Sequence, residues 1–230
     1  MDLLVGAIGI VLALVAIALT VAIEAIKRPR LDVRPSIFRP SGPLPWTFAA
    51  VEVVNDPTIP RAFRRFITRQ SADGCEVWIE FRHAGEAGLA LPRIPGRWSS
   101  QPEPIRRDPV IVPVVTTGAA APDAPAGQGL QIVATFDPAL AAASRRINVA
   151  ASGAGEEVAV AVLRSDGRAF AWGADSYAHP GWEHPGWELQ HGTYEVTVTA
   201  RASGLLVRRR FELPFLSEDF AAFTLERLDI

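Results

Sequence analysis

The sequence predicts a mainly β fold, a β-sandwich, carried behind one N-terminal transmembrane helix. Three observations predict it. Residues 3–23, LLVGAIGIVLALVAIALTVAI, contain no charge and one weakly polar side chain, Thr20. Beyond them, short stretches alternate apolar and polar side chains with period two, the mark of half-buried strands. Turn formers such as Asn55-Asp56-Pro57 and Ser165-Asp166-Gly167 separate those stretches.

Read as a helix, the apolar run spans about 31 Å, close to the thickness of a bilayer's hydrocarbon core. The chain then divides into an anchor (1–26), a basic juxtamembrane segment with a first strand (27–45), and the remainder of one sandwich (46–230). A flexible loop is expected at about 108–129. Only Met1 and Asp2 precede the run, whereas Lys27, Arg28, Arg30 and Arg34 follow it. Positive flanks stay cytoplasmic, so the expected topology is single-pass, N-terminus out and domain in. The alternative puts the domain on the outer side, behind an uncleaved helix or after a cleaved signal peptide. Against cleavage stand an acidic start and an apolar core longer than the roughly 7 to 15 residues of such peptides. Gly9, Ala13, Ala16 and Thr20 share one helix face, where a second copy of the helix can approach closely.

Composition narrows the classes further. The single cysteine, Cys75, excludes an internal disulfide. Lys27 is the only lysine, and the arginine and alanine excess suggests a GC-rich prokaryotic genome. Residues 27–69 carry nine basic and three acidic side chains, whereas 70–230 carry fourteen and twenty. The basic part therefore lies next to the anchor. Anionic lipid is its expected partner, met by Lys27, Arg28, Arg30 and Arg34 and by Arg61, Arg64 and Arg65. Nucleic acid is not expected, because few aromatics are interleaved with these arginines.

Taken in order, 31–38 can start a strand before Pro40, Pro43 and Pro45 break it. In WTFAAVEVVN, Ala49, Val51 and Val53 share one face. From Pro60 the spacing turns helical, setting Phe63, Phe66 and Ile67 against Arg61, Arg64, Arg65 and Arg69. A further strand places Cys75, Val77, Ile79 and Phe81 on one side. Residues 83–104, including GRWSSQPEP, read as irregular, and 108–129 as an edge strand broken by Pro113 and then linker composition. Strands follow over 130–136, 146–150, EEVAVAVLR and RAFAW, then TYEVTVTAR and LLVRRRFEL. In the last, Arg209 falls in phase with Val207 and Phe211, an inward arginine that suggests an edge or a bulge.

LQHGTYEVTV, at 189–198, resembles the run that opens a late strand in immunoglobulin-like and fibronectin-like sandwiches. That resemblance implies a tyrosine, Tyr194, packed at a corner with its hydroxyl bonded to nearby backbone. It implies a fold and no activity. The layout as a whole is similar to that of prokaryotic membrane-anchored proteins, a likeness that carries no function.

The most unusual stretch is 172–192, WGADSYAHPGWEHPGWELQHG, with HPGWE in tandem. Two readings stay open. Tyr177, Trp182 and Trp187, with His179 and His184 beside them, floor a ligand or peptide groove; or the tryptophans cap the open end of the sandwich. His179, His184 and His191 have the chemistry of metal ligands, but their spacing matches no standard motif, so no metal and no cofactor are expected. No nucleophile elbow, P-loop or zinc-protease motif is present, so no catalytic residue is expected. The expected function is a membrane-anchored binding or assembly module with a protein partner. The alternatives are a tethered enzyme using the 172–192 loop and an exported surface-binding domain.

Overall fold

The apolar run, free of proline, forms one long helix, α1 (Asp2–Lys27). The computed structural model describes residues 2–36, 46–60, 62–63, 65–114, 127–202, 204–216 and 219–228, with 2–7, 112–114 and 127–130 as backbone only. The helix is long and apolar enough to cross a membrane, and none of that span is buried against the rest of the chain. Among the described side chains of the helix, only Ile23, Ile26 and Lys27, at its C-terminal end, are half-buried. This is not the core helix of a soluble fold, which would hide its apolar face.

The remainder is antiparallel β structure. One sheet has the order β1 (Leu31–Ser36), β2 (Trp46–Asn55), β8 (Glu156–Arg164), β9 (Ala169–Ala171) and β10 (Glu188–Leu189). A second runs β13 (Glu226–Arg227), β12 (Leu205–Phe215), β11 (Gly192–Ala202), β3 (Ala72–His83) and β4 (Ile94–Pro95), with β7 (Arg146–Val149) also paired to β3. One hydrophobic core joins the two. The first sheet contributes Val33, Ala49, Val51, Val53 and Leu163; the second contributes Cys75, Val77, Ile79, Phe81, Val198 and Phe211. The alternations read in β2 and β3 therefore set the buried faces of those strands.

Two local features fix how β8 and β11 sit. Ala49 pairs with Ala161 and Ala50 with Ala159, leaving Val160 as the extra residue of a β-bulge. At the start of β11 the Tyr194 ring is buried, and its hydroxyl donates to the Gln190 carbonyl and accepts from the Gln190 amide, both at 2.8 Å. The corner that the sequence resemblance implied is present. Arg209 of β12 reaches β1, where it meets Asp32 at 3.0 Å. Burial acts to raise the Asp32 pKa. Hydrogen bonds from Arg34 and the Val33 amide, with the charges of Arg209 and Arg227, overcome it and hold the carboxyl below its ordinary range.

Several expectations fail. Residues 105–114 and 127–136 form a third, two-stranded sheet, β5 (Ile105–Val114) and β6 (Gly127–Phe136), in register over ten pairs. Part of the segment expected to be a loop is therefore strand, while 115–126 lie outside the described residues. Each strand of a pair keeps one open edge, so Pro109 and Pro113 can be accommodated there despite lacking a donor. The expected helix from Pro60 is instead a series of turns, with the Phe63 amide bonded to Pro60 and those of Phe66 and Ile67 to Phe63. A segment this short does not sustain a helix without packing, and Phe66 is 84% exposed rather than seated in the core. Pro40, Pro43, Pro45, Arg61 and Arg64 lie outside the described residues.

Candidate functional site

The inward face of β2 is small and apolar, which leaves Trp46 and Phe48 to its outer face. There they join Ala159 and Val162 of β8, Phe170 of β9 and Trp172 in a second, smaller hydrophobic cluster. The tandem HPGWE loop folds back over this cluster through two 3-10 turns, Ala174–Ala178 and Pro180–Trp182. Trp182 meets Trp46 edge to face at 4.8 Å and Trp172 at 5.0 Å, and Trp172 meets Phe48 at 5.0 Å and Tyr177 at 5.4 Å. Edge-to-face contacts leave ring faces free. Between them lies a pocket of about 520 Å³, bounded on its other side by Arg97, Ser99, Gln101, Pro102 and Glu103.

The turn that places Trp182 is strained and held. Gly181 and Trp182 both adopt left-handed backbone, at φ 61° and 65°, a conformation that costs a bulky side chain on the order of 1 kcal/mol or more. Arg164 clamps it, donating to the Gly181 carbonyl at 2.7 Å and pairing with Glu183 at 2.9 Å. Arg168 pairs with the same carboxylate at 2.8 Å.

The sequence-singled residues separate here. Trp182 and Tyr177, both half-buried, line the pocket. Trp187 does not: it is buried in the main core and stacked against His184 at 4.1 Å. The groove reading fits Tyr177 and Trp182, and the cap reading fits Trp187. The His179 and His184 rings lie 4.6 Å apart, while His191 packs its ring on Phe215. Among the described residues no cluster of three metal-ligating side chains occurs. Partial burial first, and the neighbouring His179 second, push the His184 pKa below its ordinary value, with Asp175 acting the other way. Burial raises the Tyr177 hydroxyl, which the Arg97 charge partly opposes. Among the described residues the lining holds no histidine, cysteine or aspartate.

Sequence reasoning missed Trp46, Phe48, Arg97, Gln101, Glu103 and Trp172. The signal for two of them was present: Trp46 and Phe48 lie two apart on a strand whose other face was already assigned to the core. Arg97 carried no such signal, because only the fold brings 94–104 beside the loop.

The basic residues next to α1 are also placed. Lys27 pairs with Glu24 at 3.0 Å and Arg34 with Asp32 at 3.4 Å, whereas Arg28, Arg30 and Arg65 are exposed. The Gln70 amide donates to the Lys27 carbonyl and Arg69 to the Arg28 carbonyl, so the β2–β3 connection is tied to the helix end. Gly9, Ala13, Ala16 and Thr20 are all exposed, and the Thr20 hydroxyl is satisfied by the Ala16 carbonyl. Compared with known proteins, the chain matches no family model, no curated protein and no solved structure.

Proposed function

We propose that this chain is a membrane-anchored, non-catalytic binding module that takes its ligand in the aromatic pocket on the outer face of the β1–β2–β8 sheet. The observation that carries this reading is the pocket itself, whose rings come from two segments far apart in the chain, β2 and the 172–182 loop, and include a tryptophan held in left-handed backbone. Aromatic clefts with a few polar groups at the rim are the common form of binding sites. Edge-on aromatics merely filling a core would leave no such volume.

The module is read as an immunoglobulin-like sandwich. Support comes from the adjacency of β1, β2 and β8 in one sheet and of β12, β11 and β3 in the other, together with the Tyr194 corner. It departs from that plan in chain order, since β9 follows its neighbour β8 where an immunoglobulin strand in that place would precede it, and in the added short strands β4, β7, β10 and β13 and the separate β5–β6 pair. The apolar helix is read as a single-pass anchor, with Lys27, Arg28 and Arg30 holding the domain on the cytoplasmic side.

Alanine variants in the full-length chain test the site. Trp187→Ala removes a core side chain and should cost about 3 to 5 kcal/mol of stability. Trp182→Ala, at the half-exposed pocket wall, should cost about half that or less, yet abolish co-purification of a stoichiometric partner from native membranes. Retention of the partner by a folded Trp182→Ala variant would remove the pocket from the account.

A further inference from the structure

Arg97 stands out among the buried polar groups. It is 7% exposed. Its guanidinium donates to the Gln101 carbonyl through Nη2 and lies 5.3 Å from the Tyr177 ring, but its Nε has no partner. Arg69 and Arg145 also carry an unpartnered Nε, and the Arg164 Nε, without a hydrogen bond, meets Asp166 at 3.3 Å. Of these, Arg145 holds Asp175 and Arg164 holds Glu183, and the half-buried Arg69 spans two backbone carbonyls. Among the described residues Arg97 has no carboxylate at all, and it sits in the wall of the aromatic pocket. The other charged wall residue, Glu103, is engaged by Arg107 at 3.1 Å. The charge left unanswered in the pocket is therefore positive. A buried cation without a counter-charge is unfavourable unless something supplies one, and a guanidinium is built to receive a carboxylate on two parallel donors.

We infer that the pocket selects ligands in which a flat apolar group lies a few bonds from a carboxylate, the flat group entering among Trp46, Phe48, Trp172 and Trp182 and the carboxylate meeting Arg97. This rests on the pocket being a binding site. It adds the ligand's charge and shape. A free aryl-alkanoic acid and the C-terminal carboxylate of a peptide ending in an aromatic residue share this chemistry.

The test uses the full-length chain in phosphatidylcholine nanodiscs, read by intrinsic tryptophan fluorescence. Four probes are titrated: 3-phenylpropionate, its neutral amide, acetyl-Gly-Phe with a free C-terminus, and the same peptide amidated. At least one acid should bind about tenfold more tightly than its amide, the discrimination expected of a charge-assisted hydrogen bond. Tighter binding of the free acid points to a small metabolite, and of the peptide acid to a chain terminus. Arg97→Gln should erase the difference while leaving amide affinity within about twofold, and Arg97→Lys should restore part of it. If acid and amide bind equally to the wild type, the carboxylate assignment falls while the pocket stands. If no probe binds at about 10 mM, weaker than any useful affinity, both fall.

Discussion

At the scale of single residues, the Tyr194 hydroxyl makes two hydrogen bonds to the backbone of one residue, Gln190, and ties the chain entering β11 to the ring that fills the core beneath it. Tyr194→Phe keeps that ring and loses the bonds. Because Gln190 is exposed, water can take up its freed groups, and the loss should be about 1 kcal/mol in a thermal or denaturant melt. His184 gives a pH dependence whose sign follows from its surroundings. Stacked on Trp187 and beside His179, it resists protonation in the folded chain more than in the unfolded one. Its contribution is therefore present above the unfolded value of about 6.5 and lost as pH falls below it. The melting temperature should drop between about pH 7 and pH 5.5, and His184→Gln should shrink that drop. An unchanged slope in the variant would show that His184 does not titrate as its packing implies.

Among the elements, the 94–104 segment matters most, because it supplies one wall of the pocket and buries Trp98 against the edge of β8. Trp98 is fully buried and its indole donates to the Arg145 carbonyl at 3.0 Å. Gly96 allows the approach: a Cβ there would lie 2.9 Å from a Val158 methyl and 3.2 Å from Val77 Cβ. Both neighbours are β-branched and stiff, so Gly96→Ala should cost about 1 to 3 kcal/mol. It should also disturb the pocket more than a surface substitution of equal cost. None of this was legible in GRWSSQPEP, where prolines and serines gave only the reading of an irregular loop. The strands of β2, β3, β11 and β12 were legible: β3 and β12 bury one face and so show period two, and in β2 and β11 the apolar side chains of the core face still alternate. The β5 and β6 strands were legible in part, as an edge strand broken by Pro113 and a strand over 130–136, but their pairing with each other was not, because a separate two-stranded sheet has no buried face to impose alternation. The segment after Pro60 misled for a related reason: helical spacing of three apolar residues does not make a helix when only Ile67 reaches the core.

For the whole molecule, the strongest feature of the sequence was also the simplest, a charge-free run long enough to span a bilayer. What the sequence did not contain was how closely the domain follows it. Three residues separate α1 from β1, and that junction is fastened by the Gln70, Arg69 and Asn55 hydrogen bonds to Lys27, Arg28 and Arg30. The domain is therefore held against the end of the helix rather than swinging on a tether. Arg28 and Arg30, which follow the helix directly, stand at the level of the headgroups if the helix crosses the membrane, where each basic side chain is worth about 1 kcal/mol against anionic lipid. The site, by contrast, was half legible: Tyr177 and Trp182 drew attention by composition, while Arg97 and Trp46 became neighbours only through folding. The proposed placement of the domain on the cytoplasmic side is open to a protease-accessibility measurement. In intact cells the domain should be protected from added protease, and in inverted membrane vesicles it should be digested. Digestion of the domain in intact cells would place it on the outer side and overturn the cytoplasmic assignment.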